Sequence, residues 1–171
     1  MVDLKVLLSE DEIQNRLKEL AREIDSYYEG KEIIVLCVLR GAVYFMVDLT
    51  KNMTTPMQPD FIRVASYEGT ETTGKINIID DLKEDIKGKN ELVVEDIIDT
   101  GYTLKFLKKY LLEKEPADLK IVVLADKKER REVEVEVDFV GFEIPNKYIV
   151  GYGFDYNNTC RNLKYIGYIE N

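Results

Sequence analysis

The sequence predicts an α/β fold, with a mainly parallel central sheet flanked by helices. Three observations carry this. Short continuous apolar runs recur, "EIIVLCVL", "ELVVEDII" and "LKIVVLAD", as strands buried on both faces require. Segments with helical apolar spacing alternate with them, the pattern of a parallel sheet with crossover helices. The 171 residues contain no internal repeat, low-complexity segment or Pro/Gly-rich linker, so residues 1–171 form a single domain.

The elements follow in order. Ser9-Glu10-Asp11-Glu12 has the form of a capping box, and Ile13, Leu17, Leu20, Ala21 and Ile24 continue at helical spacing, with Gly30 beyond the end. "EIIVLCVL" is a buried strand, and residues 41–50 form a helix after it. "DFIRVASY" and "KINIID" are strands separated by the polar "EGTETTG". "ELVVEDII" is a strand. Residues 103–115 carry Leu104, Leu107, Leu111 and Leu112 on a helical stripe stopped by Pro116. "LKIVVLAD" is a strand, and "VEVEVDFVGF", "KYIVGYGF" and "LKYIGYIE" are further ones. The last strands have fewer helices between them and form a small separate lobe.

Composition narrows the function. At 45% apolar and 33% charged the chain reads as soluble and globular. A net charge of -9 argues against general nucleic-acid binding, which needs a positive footprint. Histidine is absent, which excludes His-based triads, imidazole zinc sites and imidazole acid–base catalysis. Cys37 and Cys160 form no C-x-x-C pair, and both read as inert thiols. "MVDLKVLLSEDE" lacks the basic leader and long apolar patch of a signal peptide, and no stretch is long enough to span a membrane. A cytoplasmic protein without membrane contact is expected.

Two stretches suggest phosphate sites. Gly69 to Lys75 has the glycine and lysine spacing of a Walker A loop, but Ile76 stands where a Mg²⁺-holding Ser or Thr belongs. The following "INIIDD" reads as strand where that motif needs a helix. A hydrophilic loop between strands is the better reading. The second stretch is "VVEDIIDTGYTL", residues 93–104. Ligands of open α/β sheets bind beyond the carboxyl ends of strands. Here a strand ends at Ile98, Gly101 allows a tight turn, and a helix begins near Thr103, so outward amides and the Thr100 and Thr103 hydroxyls favour an anion. Glu95 and Asp96 suit sugar hydroxyls or Mg²⁺. Asp99 at the loop entrance can accept a proton.

That stretch resembles the phosphoribosyl-pyrophosphate signature of the type I phosphoribosyltransferases. With "VLRGA", "SYEG", "LADKKERR", "VDFVGFEIPNKYIVGYGFDY" and "RNL" in order, residues 10–168 are most similar to the hypoxanthine-guanine phosphoribosyltransferases. The resemblance implies that fold, with a hood formed by the terminal segments, and purine salvage. The phosphoribosyl group passes from phosphoribosyl pyrophosphate to hypoxanthine or guanine, giving IMP or GMP plus pyrophosphate, with Mg²⁺ as cofactor. It implies roles residue by residue. Thr100, Gly101, Tyr102 and Thr103 would hold the 5′-phosphate, Glu95 and Asp96 the ribose–metal end, and Asp99 would take the N7 proton. Arg40, Gly41 and Arg161 would line the pyrophosphate, and a non-proline cis peptide between Leu39 and Arg40 is implied beside them. Ser66 and Tyr67 would belong to a closing loop. Lys127 would donate to the 6-oxo group, Tyr148 would stack on the base, and carbonyls near Ile149 and Asp155 would accept from its edge. The Asp155 side chain would meet a second Mg²⁺. Arg40 and Tyr148 depart from the family's commoner Lys and Phe. Homodimers or homotetramers are usual in such enzymes. The rival readings are a nucleotide-sensing regulator on the same fold, which should often lose Asp99 or the closing loop, and a P-loop kinase, disfavoured by Ile76.

Overall fold

The computed structural model describes residues 3–67 and 75–170. Its first strand, β1 (Leu4–Leu8), leads into helix α1 (Glu10–Tyr27). The capping box forms as the sequence predicts: Ser9 Oγ accepts from the Glu12 amide at 3.2 Å, and Glu12 accepts from the Ser9 amide at 2.8 Å. The apolar stripe Ile13, Leu17, Leu20, Ala21 and Ile24 is buried.

Next come β2 (Ile33–Leu39), α2 (Val43–Lys51), β3 (Met57–Tyr67), β4 (Lys75–Asp80), β5 (Asn90–Ile98), α3 (Tyr102–Leu112), β6 (Asp118–Asp126) and β7 (Phe139–Glu143). A short 3-10 turn, Lys128–Arg130, lies between β6 and β7. Six strands form one sheet in the order β4-β3-β2-β5-β6-β7. Every neighbouring pair is parallel except β3 with β4. This is the predicted α/β class. The apolar runs on β2, β5 and β6 occupy the centre because helices cover both faces there. One core cluster packs α1 and α2 residues against the sheet, with Phe45, Leu92 and Val94. The other lies under α3, with Leu36, Val93, Val123 and Leu107. Arg16 of α1 clamps β7 by donating to the carbonyls of Gly141 and Val140.

The last strands, β8 (Ile149–Val150) and β9 (Ile166–Ile169), pair antiparallel with β1 in the order β1-β9-β8. Both ends of the chain thus meet in a small second sheet.

Four sequence expectations change. β1 was not anticipated: it is five residues long, and Val6 is 60% exposed. The alternating "VEVEVDFVGF" contributes only Phe139–Glu143 to the sheet. Its first half runs alongside, with Val135 and Val137 packed on the core under α3, and the Val133 amide donates to the Thr100 carbonyl. α3 ends at Leu112 instead of 115: beyond it the Lys114 and Glu115 amides donate three residues back, to the Leu111 and Leu112 carbonyls, and Glu115 then turns the chain at φ 59. Ser66 and Tyr67 are the last two residues of β3, paired with Ile76 and Lys75, and so precede any loop. The Walker-like glycines, Gly69 and Gly74, lie outside the described residues. Lys75 and Ile76 begin a strand, so that motif lacks the helix it needs.

Candidate active site

The carboxyl ends of β2 and β5 and the start of α3 enclose the site. Beyond β5, Gly101 adopts φ 97, a left-handed conformation natural only to glycine. A Cβ there would come 2.8 Å from the Val133 carbonyl oxygen and 3.1 Å from Arg131 Cδ. Gly101 also stands at the N-cap of α3, and no side chain caps the helix. The first amides of a helix have no acceptor within it, so the turn leaves several donors free. A cleft of about 210 Å³ opens here, lined by Glu95, Asp96, Asp99, Thr100, Gly101 and Thr103, with Ile97, Ile98 and Leu104 behind them. A larger cavity of about 540 Å³ lies at the opposite ends of the strands, against Glu32, Pro56 and Asn90. It faces away from the end where open α/β sheets bind ligands.

Glu95 and Asp96 are adjacent on β5, and Asp96 N–H donates to Glu95 Oε1 at 2.9 Å. Burial pushes the Glu95 carboxyl well above the ordinary range, and the Asp96 charge adds to this. Burial also raises Asp96, opposed by the Glu95 side-chain hydrogen bond, the Ile97 amide and the Arg161 charge. The loop after β2 closes over this pair. The Leu39–Arg40 bond is cis, as the resemblance implied. A Cβ on Gly41 would overlap Asp96 Oδ2, and one on Gly153 would overlap the Gly41 carbonyl. The two glycines therefore let the Gly41 and Gly153 backbones and the Asp96 carboxyl converge. Arg161 seals the edge: Nη1 donates to the Gly153 carbonyl at 2.6 Å and Nη2 lies 3.0 Å from Asp155 Oδ1.

Near Asp99, Lys127 follows β6 and is 8% exposed. Its backbone N–H donates to the Ile98 carbonyl. Burial lowers its ammonium below the usual range, the Asp99 carboxylate works against that, and Arg130 adds to it. Arg130 Nε sits 2.9 Å from Asp99 Oδ1. No N–H is aligned on that oxygen, which is buried without a hydrogen-bond partner. Tyr148 is 55% exposed, next to buried Ile149 on β8.

Residues 7–157 match the family model described as the phosphoribosyl transferase domain. The chain is 47% identical over 169 residues to a hypoxanthine-guanine phosphoribosyltransferase of Aquifex aeolicus, covering 98% of this chain and 95% of that one. It is 46% identical to a hypoxanthine-guanine-xanthine phosphoribosyltransferase of Tritrichomonas foetus, over 97% and 91% of the two chains. A crystal structure of a hypoxanthine-guanine phosphoribosyltransferase from Bacillus anthracis, with HEPES in its active site, superimposes with a TM-score of 0.94 at 43% identity, over 99% of this chain and 100% of that one. This chain belongs to the hypoxanthine-guanine phosphoribosyltransferase family. It also matches a bifunctional protein of Listeria monocytogenes at 46% identity, spanning 26% of that protein.

Within this family fold, the structure gathers Glu95, Asp96, Asp99, Thr100, Gly101 and Thr103 around one cleft. Tyr102 starts α3 and is 38% exposed, outside the residues that line the cleft. Arg40 is exposed on the loop after β2, and the side chain of Tyr67 is not among those described. Three further residues brace the loop and went unnoticed in the sequence. Arg131 donates to the Asp99 carbonyl at 3.1 Å and pairs with buried Asp126, while Arg130 meets Asp99. Their signal was the charged run "DKKERR", which by itself reads as a solvated turn.

Proposed function

We propose that the protein is a purine salvage enzyme that transfers the 5-phosphoribosyl group from phosphoribosyl pyrophosphate to hypoxanthine or guanine. The products are IMP or GMP and pyrophosphate. One observation supports the reading most: the Asp99 carboxylate lines a cleft whose floor is the uncapped start of α3, and its charge acts on the buried Lys127 beside it.

Thr100, Gly101, Tyr102 and Thr103 seat the 5′-phosphate on free amides and hydroxyls. Glu95 and Asp96 accept from the ribose hydroxyls. Arg40, Gly41 and Arg161 face the pyrophosphate. As the glycosidic bond forms at N9, Asp99 accepts the proton from N7. Lys127 donates to the 6-oxo group and opposes the amino group that adenine presents there. Tyr148 stacks on the base, and the carbonyls of Ile149 and Asp155 accept from its N1–C2 edge.

The donor set fits Mg²⁺. Glu95, Asp96 and Asp155 would supply hard oxygen ligands. Among the described residues no three His, Cys, Asp or Glu side chains converge on one point. Mg²⁺ usually keeps several waters and substrate oxygens as ligands. When bound, Mg²⁺ neutralises the charge of the pyrophosphate leaving group. The terminal strands act as the hood of one domain spanning residues 1–171. The protein works in the cytoplasm as a homodimer or homotetramer, and no helix among the described residues is long and apolar enough to cross a membrane.

The test supplies purified protein with Mg²⁺, phosphoribosyl pyrophosphate and, in turn, hypoxanthine, guanine and adenine. IMP and GMP without AMP are expected. Nucleotide binding without product from any base would overturn the reading in favour of the regulator.

A further inference from the structure

Stacking needs only the ring of Tyr148, yet its hydroxyl is also engaged. It donates to the backbone carbonyl of Asp155 at 3.3 Å. Tyr156 meets the ring edge-on, with centroids 6.2 Å apart. Asp155 is itself held in place. Its Oδ2 accepts from the Asn158 amide at 2.8 Å, and its Oδ1 pairs with Arg161. A donor that reaches this carbonyl therefore finds a fixed acceptor already in use.

We infer that the Tyr148 hydroxyl biases the enzyme toward hypoxanthine over guanine by occupying the acceptor that the 2-amino group of guanine needs; this rests on the base pocket proposed above. Hypoxanthine carries only hydrogen at C2 and asks nothing of the Asp155 carbonyl. Guanine brings an N–H donor to that edge, which must share the carbonyl or displace the hydroxyl. Phenylalanine at this position keeps the stacking face and leaves the carbonyl free.

The test compares kcat/KM for guanine and hypoxanthine in the unmodified protein and in Tyr148→Phe, at saturating phosphoribosyl pyrophosphate. The guanine-to-hypoxanthine ratio should rise about threefold to tenfold in the variant, the worth of one net neutral hydrogen bond. A merely structural role for the hydroxyl would change both bases alike and leave the ratio where it was. An unchanged or lowered ratio overturns the inference, since the two lone pairs of the carbonyl would then be serving both donors. Calorimetric titration with GMP and IMP gives a second readout without turnover, and Tyr148→Phe should raise the affinity for GMP relative to IMP. If the unmodified protein forms no nucleotide from either base, the proposed activity fails, and the GMP-to-IMP binding ratio still decides the role of the hydroxyl.

Discussion

Glu91 should make the stability of this protein fall as pH rises toward neutrality. It lies on β5, opposite Ile34 of β2 and Leu119 of β6, and is 0% exposed. Neither carboxyl oxygen has a hydrogen-bond partner. Burial, and then the charge of Asp60, push its pKa from 4.5 to about 7, with Lys114 working against them. Asp60, buried on β3, is satisfied by the amides of Phe61, Lys83 and Glu84. Glu91 has no such support. Below pH 4.5 the carboxyl is protonated in both folded and unfolded chains and costs nothing extra. Between 4.5 and about 7 the unfolded chain ionises while the folded one keeps its proton, so stability declines by about 1.4 kcal/mol per pH unit. Above that window the loss is complete, at about 3 kcal/mol. Glu91→Gln removes the titration, although its amide is also unpartnered and adds a penalty that does not vary with pH. Thermal unfolding of both proteins from pH 5 to 8 reads the difference. A change of about 3 kcal/mol corresponds to roughly 6–12 °C in Tm at this chain length. Glu91→Val should also exceed the unmodified protein in stability at pH 8, because the neighbouring strands present apolar residues there. Parallel Tm–pH curves for the unmodified protein and Glu91→Gln would refute the reasoning.

Other outcomes follow from the site and the helices. Asp99→Asn should keep binding phosphoribosyl pyrophosphate while kcat drops about a hundredfold or more, as the loss of a general base implies; unchanged turnover would remove Asp99 from proton transfer. Gly101→Ala should raise the KM for phosphoribosyl pyrophosphate. The left-handed backbone alone costs about 1–2 kcal/mol with a Cβ, and the Val133 carbonyl stands in the way. Ser9→Ala should lower stability by about 1 kcal/mol through loss of the cap on α1, visible as a small fall in Tm with catalysis intact.

The sequence by itself determined the parts whose signals are local. The capping box and apolar stripe of α1 are legible because a helix is set by residues three and four apart. β2, β5 and β6 are legible because burial on both faces leaves a continuous apolar run. The turn after β5 is legible because acids, Thr-Gly and a helix start follow one another within 12 residues, "VVEDIIDTGYTL". Tertiary structure decided what depends on distant partners. β1 is a strand only because β9, from the other end of the chain, pairs with it. Val133, Val135 and Val137 alternate like a strand, yet burying one side of that stretch under α3 needs no ladder, so the sheet begins at Phe139. "KYIVGYGF" yields just two strand residues, because Gly151, Tyr152 and Gly153 turn the chain at positive φ. The cleft followed the same rule. Asp99 was readable as a candidate base, but its contact with Arg130 and the bracing of its carbonyl by Arg131 exist only once β5 and β6 lie side by side. Pairing between remote strands carries no signature in either one alone, because the hydrogen bonds that join them are made by the same backbone everywhere.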